Sequence, residues 1–396
     1  MSISSYYTPT KVLFGKDAEL KCGQMVREAG GRKVFIHFGG GSVVRSGLLE
    51  RVKKSLEEAG LESFVCGGAQ PNPRLSLVRK GIEAYRREGC DFILAVGGGS
   101  AIDSAKAISY GVPYEGDVWD FYTAKAVPSK VCPLGVILTL SATGSEMSNS
   151  SVITNDEVVP NDKFGCNSDL SRPLFAIMNP SLTASVSAYQ TASGSTDIMM
   201  HTLERFFHSG ESFEYTDLNA VTLLKTVWKH TLKALEDPQD YEARANIMWA
   251  GSVSHNGFTA VGNPTGGDWS CHRMEHELSA LYDVAHGAGL SAIWGSWARY
   301  VASVDYSRFA WLGKEMFGIS EKEPRVAAEK TIEGFENIFR SFNMPVGLHE
   351  LGLDLNERDL EALAAKTSWN GQRTLGNFKV LEQADMLEIF RMANRN

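Results

Sequence analysis

Short apolar runs alternate with amphipathic stretches through the first half of the chain. Strands are predicted at Lys33–Phe38, Leu61–Val65, Asp91–Val96, Leu134–Leu138 and Leu174–Met178. Between them, helical spacing is predicted over Leu48–Ala59, Leu75–Glu88 and Ala101–Tyr110. Because strands that alternate with helical crossovers form parallel sheets, we expect an α/β domain with helices on both faces of the sheet.

The pattern changes after residue 181, where strand-like alternation stops and long helical periodicity takes over. Helices are predicted over Ala192–His208, Tyr215–Leu235, Tyr241–Asn256, Gly289–Val304 and Pro324–Asn343. Asn179-Pro180 interrupts the pattern, as such pairs do at turns. We therefore expect an α/β domain over residues 1–180 and an all-helical domain over residues 181–396.

Two Gly-Gly-Gly-Ser segments, residues 39–42 and 97–100, are each expected to end a strand and open a helix. That position offers free N–H groups and the positive end of a helix dipole to a phosphate, and glycine allows close approach. Neither segment is a G-x-G-x-x-G fingerprint. The first has no acid to hold a ribose 2′-OH and is followed by Arg45, which favours NADP over NAD. The alternative is a plain tight turn.

A cluster of hydroxyls follows the strand at Leu134–Leu138, in Thr139–Met147. These groups suit a dinucleotide, but Thr143 with Glu146 also has the spacing of a helix capping box, and both interpretations can hold together. Lys163 lies in a polar loop, where the alternative is an ordinary solvated lysine.

The second half contains a set of residues that suits one metal ion. Asp197 and His201 are four residues apart, so on a helix they share a face, while His272 and His286 follow on later segments. Three imidazoles and one carboxylate suit Zn²⁺ or Fe²⁺ and make a poor Ca²⁺ or Mg²⁺ site. His272 and His276 share a helical face, and spacing alone does not decide which one binds. The remaining histidines are expected to be structural: His37, His208, His230, His255 and His349.

The composition of the chain limits which binding partners and which cellular compartments we expect. The net charge of −8 argues against nucleic acid or an anionic membrane surface. No apolar run approaches the roughly 20 residues that span a bilayer, and Met1–Lys11 lacks the apolar core of a signal peptide. Six scattered cysteines without a C-x-x-C pair fit a reducing cytoplasm.

Taken together, the motifs resemble those of the iron-containing (group III) alcohol dehydrogenases, and most closely the butanol dehydrogenase-like branch. The resemblance rests on Gly97–Lys106, Ala142–Glu146, Asp197-x-x-x-His201, His272-x-x-x-His276 and His286-Gly287. It implies the dehydroquinate synthase-like fold of that family, with a nucleotide site in the α/β domain and a metal site in the all-helical, catalytic domain.

The resemblance also implies residue roles. The metal ligands are expected at Asp197, His201, His272 and His286. Contacts with the cofactor are expected at Gly39, Gly40, Ser42, Gly97, Gly98, Gly99, Ser100, Asp103, Thr139, Thr143, Ser145 and Lys163. His276 is the expected proton relay, and Asp103 is a second catalytic candidate.

The expected activity is reversible reduction of a small aldehyde to a primary alcohol. It would use NADP(H) in preference to NAD(H) and one Fe²⁺ or Zn²⁺ ion, and relatives suggest a homodimer. One alternative is a related metal-dependent lyase with an anionic substrate, for which the metal segment offers mainly Arg273 as a cation. The other is a non-catalytic metal- or nucleotide-binding module.

Overall fold

The computed structural model describes residues 4–395 and divides into two compact units. One unit comprises residues 7–186, and the other comprises residues 187–395 together with residues 4–6. Within the described residues, no helix is both long enough and apolar enough to cross a bilayer.

A six-stranded, fully parallel sheet forms the centre of the first unit. Its strands are β1 (Lys11–Phe14), β2 (Lys33–Phe38), β3 (Glu62–Cys66), β4 (Phe92–Gly97), β5 (Leu134–Leu138) and β8 (Phe175–Met178). They lie in the order β1-β8-β5-β4-β2-β3, so β2, β4 and β5 are neighbours. Their carboxyl ends therefore meet at one edge, where ligands of open α/β sheets bind.

Helices cover both faces of this sheet. They are α1 (Cys22–Glu28), α2 (Ser42–Arg45), α3 (Leu48–Glu58), α4 (Leu75–Glu88), α5 (Gly99–Gly111) and α6 (Trp119–Tyr122). Val34 and Ile36 of β2 pack in one apolar cluster with Val52 of α3, while Phe35 points the other way and meets Tyr85 of α4. The predicted doubly covered parallel sheet is confirmed.

A second, smaller sheet was not predicted from the sequence. Strands β6 (Ser150–Asn155) and β7 (Asp162–Asn167) form an antiparallel ribbon. The edge strand β1 was also missed, and it pairs with β8 alone.

The second unit is helical. Its helices are α7 (Ala188–Phe206), α8 (Glu214–Glu236), α9 (Tyr241–His255), α10 (Ser270–Tyr282), α11 (His286–Val301), α12 (Tyr306–Phe317), α13 (Pro324–Ser341), α14 (Glu357–Thr367) and α15 (Gln383–Arg395). Every residue of α7 from Thr191 to Phe206 is buried. Such a helix lies in the centre of the unit, where its polar side chains require buried partners.

Candidate metal centre and nucleotide loops

Helix α7 places a carboxylate and an imidazole side by side in the interior. Asp197 and His201 are one turn apart, and His201 Nε2 lies 3.6 Å from Asp197 Oδ1. Both side chains are almost fully buried. The spacing predicted from the sequence therefore brings these two groups together on a helix that is buried all round.

Two further imidazoles approach the same carboxylate oxygen. His272 on α10 places Nε2 3.5 Å from Asp197 Oδ1, and His286, the first residue of α11, places Nε2 3.7 Å from it. Potential ligand atoms of Asp197, His272 and His286 lie within 4.8 Å of one another. The Nε2 atoms of three histidines thus converge on one carboxylate oxygen.

The hydrogen bonding of this cluster shows that its residues fit a cation. Among the described residues, Asp197 Oδ1 and His272 Nε2 are buried and have no hydrogen-bond partner. Buried polar atoms without partners cost on the order of 1–3 kcal/mol each, so such atoms usually mark an ion or an ordered ligand. Imidazole nitrogens and one carboxylate are donors that Zn²⁺ and Fe²⁺ accept.

Two glutamates that sequence reasoning missed lie behind the histidines. Glu204 on α7 hydrogen-bonds with Nδ1 of His272, and Glu275 on α10 hydrogen-bonds with Nδ1 of His286. Both glutamates are fully buried. A carboxylate on the far nitrogen of a ligand imidazole is the usual outer shell of a protein metal site.

The protonation of the histidines differs within the cluster. Burial, reinforced by the neighbouring imidazoles of His255 and His272, holds the pKa of His201 well below its ordinary value. For His272, burial acts in the lowering direction, but the carboxylates of Glu204 and Asp197 outweigh it and raise the pKa to about 9. A cation that binds His272 Nε2 must therefore displace a proton, which makes binding pH-dependent.

His276 lies one turn after His272 on α10, and the structure separates the two. The His272 nitrogen approaches Asp197, whereas His276 groups with Glu275 and His286, and its ring lies 5.7 Å from that of His286. Geometry therefore favours His272 as the ligand and leaves His276 beside the centre.

One histidine expected to be merely structural also borders the centre. The ring of His255, at the end of α9, lies 4.0 Å from that of His201 and is stacked 5.8 Å from Trp269. Nothing in the local sequence indicated this, because the three residues come from separate segments. His37, in contrast, is packed as expected: it is fully buried, and burial lowers its pKa to about 4.

The two glycine-rich segments follow neighbouring strands of the first unit. Gly98 precedes the 13-residue helix α5, so residues 97–100 do open a helix. A Cβ at Gly99 would overlap the Thr143 side chain, which shows how closely the turn after β5 packs against this loop. Residues 39–42 also follow a strand and open a helix, but that helix, α2, is only four residues long.

The turn after β5 carries hydroxyls but no helix. Thr139 N donates to Gly97 O at 3.0 Å, and Ser145 N donates to Thr143 Oγ1 at 3.2 Å. Residues 145–147 form a turn, so the capping-box interpretation of Thr143 with Glu146 is wrong. Thr143 and Glu146 have the spacing of a capping box, but the chain turns toward β6 instead of continuing as a helix.

The side chains of Asp103 and Lys163 both form hydrogen bonds with other residues of the first unit. Ser145 Oγ donates to Asp103 Oδ1 at 2.6 Å, and Val152 N donates to Asp103 Oδ2 at 2.9 Å. Lys163 is buried, and its Nζ donates to Asn72 Oδ1 at 3.0 Å. The alternative of an ordinary solvated lysine is therefore wrong.

Comparison with known proteins identifies the family. The family model for iron-containing alcohol dehydrogenase matches residues 9–180, and the model for the C-terminal part of the Fe-containing alcohol dehydrogenase family matches residues 191–394. NADH-dependent butanol dehydrogenase A of Clostridium acetobutylicum is 40% identical over 388 residues, covering 98% of both chains. The NADPH-dependent aldehyde reductase YqhD of Escherichia coli is 30% identical over 380 residues, covering 95% of both.

A solved structure agrees with this result. The crystal structure of NADH-dependent butanol dehydrogenase A from Thermotoga maritima superposes with a TM-score of 0.95 at 37% identity, covering 99% of both chains. The resemblance indicated by the sequence motifs is thus confirmed over nearly the full length. The chain belongs to the iron-containing alcohol dehydrogenase family, in its butanol dehydrogenase-like branch.

Proposed function

We propose that the protein interconverts small primary alcohols and aldehydes by hydride transfer with a nicotinamide dinucleotide, with one divalent cation held by Asp197, His201, His272 and His286. The observation that carries the proposal is the convergence of three imidazole Nε2 atoms, 3.5 to 3.7 Å away, on one buried oxygen of Asp197. The named relatives support the substrate class, because one is a butanol dehydrogenase and another an aldehyde reductase.

The proposed roles of the cation, the cofactor and the nearby residues follow from the chemistry of each group. When bound, an Fe²⁺ or Zn²⁺ ion acts as a Lewis acid on the substrate oxygen, and the nicotinamide carries the hydride. Residues 97–100, at the start of α5, offer backbone N–H groups to the dinucleotide phosphates. His276, buried beside His286, holds the proton that the alcohol oxygen gains or loses.

The metal assignment is tested with His272→Ala. Protein purified without air is analysed for metal content, and consumption of reduced nicotinamide is followed with butyraldehyde. Loss of an outer-shell partner costs about 10–100-fold in metal affinity or activity, so loss of a ligand should cost more than about 100-fold. His349→Ala, a change at an exposed histidine of the same unit, is the matched control. Full metal content and full turnover in His272→Ala would refute the assignment.

The choice between NADP(H) and NAD(H) is a finer proposal on which two observations disagree. Gly39, Gly40 and Ser42 form an exposed or half-buried loop without an acid, and a Cβ on Gly41 would collide with the Arg45 guanidinium, which therefore lies over the loop. A guanidinium there favours a 2′-phosphate, which supports NADP(H). The relatives with NADH-dependent in their names support NAD(H) instead.

Steady-state kinetics with both dinucleotides resolve this disagreement. If Arg45 binds the 2′-phosphate, Arg45→Ala lowers kcat/KM for NADPH by about 10-fold or more and leaves NADH almost unchanged, because a charged hydrogen bond contributes about 1.5–3 kcal/mol. Lys54→Ala on α3 is the control, since Lys54 is an exposed cation paired with Glu58. A wild-type preference for NADH would show that the NADP(H) expectation is wrong.

Assembly and compartment stay predictions. The homodimer rests on the family resemblance, and the cytoplasmic location rests on composition.

A further inference from the structure

We propose that Glu204 and Glu275 are positioning residues that fix the tautomer of His272 and His286, so that Nε2 of each ring faces Asp197. This inference rests on the proposed metal site and deepens it. Each glutamate is fully buried, and each hydrogen-bonds with Nδ1 of one histidine. The Nε2 atoms on the other side of those two rings lie 3.5 and 3.7 Å from Asp197 Oδ1.

The direction of these hydrogen bonds follows from the chemistry of the partners. An ionised carboxylate can only accept, so a neutral imidazole bonded to it through Nδ1 must carry its hydrogen on Nδ1. Nε2 then presents a lone pair, which is the form that binds a cation. The carboxylate also makes the imidazole a stronger donor, which is how outer-shell groups tune metal sites.

Glu204 also forms hydrogen bonds with the backbone at the start of α10. Its Oε1 accepts from the backbone N–H of Cys271 at 2.7 Å and from that of His272 at 3.3 Å. These are among the first N–H groups of α10, which have no acceptor within the helix. The side chain that orients the His272 ring therefore also holds the backbone from which that ring projects.

The room for Glu275 depends on a glycine in the next helix. A Cβ at Gly289 would lie 2.8 Å from Glu275 Cγ and 2.9 Å from Glu275 Oε1. Gly289 follows His286 by three residues on α11, so it lies on the face that carries the imidazole. Alanine is a better helix former than glycine, so the glycine here has a packing reason, which is the space for the carboxylate.

The test compares binding of Co²⁺ by metal-free wild-type protein and by Glu204→Gln and Glu275→Gln, with dissociation constants from chelator competition. We expect Co²⁺ to bind about 10–100-fold more weakly to both variants, with an altered visible spectrum of the bound ion. Glu277→Gln is the matched control, because Glu277 is buried on the same helix but pairs with Lys366 at 3.1 Å. It should bind Co²⁺ within about 2-fold of wild type.

Two further measurements separate positioning from a general loss of structure. ¹⁵N chemical shifts of the imidazoles in folded, metal-free protein, followed upward in pH until the neutral form of each ring is observed, should report hydrogen on Nδ1 of His272 and His286 in the wild type and a mixture in the corresponding Gln variant. Gly289→Ala should weaken Co²⁺ binding about 10-fold without touching any ligand, because it displaces Glu275. This variant keeps the test of Glu275 decisive if Glu275→Gln fails to fold.

The possible results are distinguishable. If wild-type protein binds no Co²⁺, the proposed metal site is wrong, and the positioning roles of Glu204 and Glu275 are wrong as well. If wild-type protein binds Co²⁺ and Glu275→Gln binds it with the same constant, spectrum and tautomer, the positioning proposal alone is overturned.

Discussion

Asp103 was expected to contact the cofactor and take part in catalysis, but its carboxylate has two internal donors. Ser145 and Val152 both donate to it, which joins α5 to the turn after β5 and to β6. Burial raises the pKa of Asp103, and the charge of the nearby Lys106 opposes that rise. The geometry therefore favours a role in holding α5, the turn after β5 and β6 together over a role in proton transfer.

This interpretation predicts a difference between two substitutions. Asp103→Ala leaves buried donors without an acceptor and should lower the free energy of unfolding by about 2–4 kcal/mol. Asp103→Asn keeps an acceptor for Val152 and should retain most of the stability and most of the turnover. Denaturant unfolding and kcat, measured on the same preparations, check both expectations.

A catalytic Asp103 would give the opposite pattern. Asp103→Asn would then be as stable as the wild type, while kcat would fall by at least about 100-fold, the usual contribution of a general acid or base. Ser104, the next residue, offers a control: its hydroxyl donates to Ser100 O within α5, so Ser104→Ala tests a local bond of the same helix.

The residues that could be found from the sequence are those whose partners are near in sequence or distinctive in type. Asp197 and His201 share a helix turn, and His272 and His286 belong to a recognisable motif. Glu204 could not be found in this way, because it meets His272 across 68 positions, and a lone glutamate in a helix is ordinarily solvent-exposed. Only the packing of α7 against α10 reveals its role.

Among the strands, those buried inside the sheet have the clearest hydrophobic pattern. Strands β2, β4 and β5 lie inside the sheet and are apolar over most of their length, so their sequences stand out. Strand β1 is a four-residue edge strand with its ends exposed, and the ribbon β6–β7 contains buried serine, threonine and lysine. The apolar run of β1 spans only Val12–Phe14, and polar residues flank the apolar ones in β6 and β7, so the hydrophobic pattern does not mark either segment clearly.

The helix starts show the same distinction. Residues 97–100 open a long buried helix, whose apolar sequence favours the predicted helix α5. Residues 39–42 have the same Gly-Gly-Gly-Ser sequence, but α2 ends at Arg45. Gly47, whose φ is +71°, separates α2 from α3. A glycine in the left-handed conformation ends the helix, and the sequence alone does not show which glycine adopts that conformation.

Across the chain as a whole, the strongest prediction from the sequence was the association of nucleotide-binding loops with a metal centre in a helical unit. The family and the two-part fold behind this prediction are confirmed, because the family models match both units, whereas the binding roles of the individual residues stay predictions. Cofactor preference was less accessible. NAD and NADP differ by one phosphate on a ribose, which a few side chains can recognise, and relatives with similar folds are named for different dinucleotides.

Removal of the cation should act on one unit of the protein. The proposed ligands come from α7, α10 and α11, and within the described residues the sheet strands contribute none of them. A ligand present at about 1,000 times its dissociation constant stabilises the binding-competent state by about 4 kcal/mol. Chelation should therefore speed amide hydrogen exchange in those three helices while β2, β4 and β5 keep their protection, as measured by mass spectrometry. Adding back Zn²⁺ should restore the slow exchange, and His349→Ala should behave as the wild type does. Loss of protection spread evenly over both units, or no loss at all, would contradict a structural contribution of the cation to the helical unit.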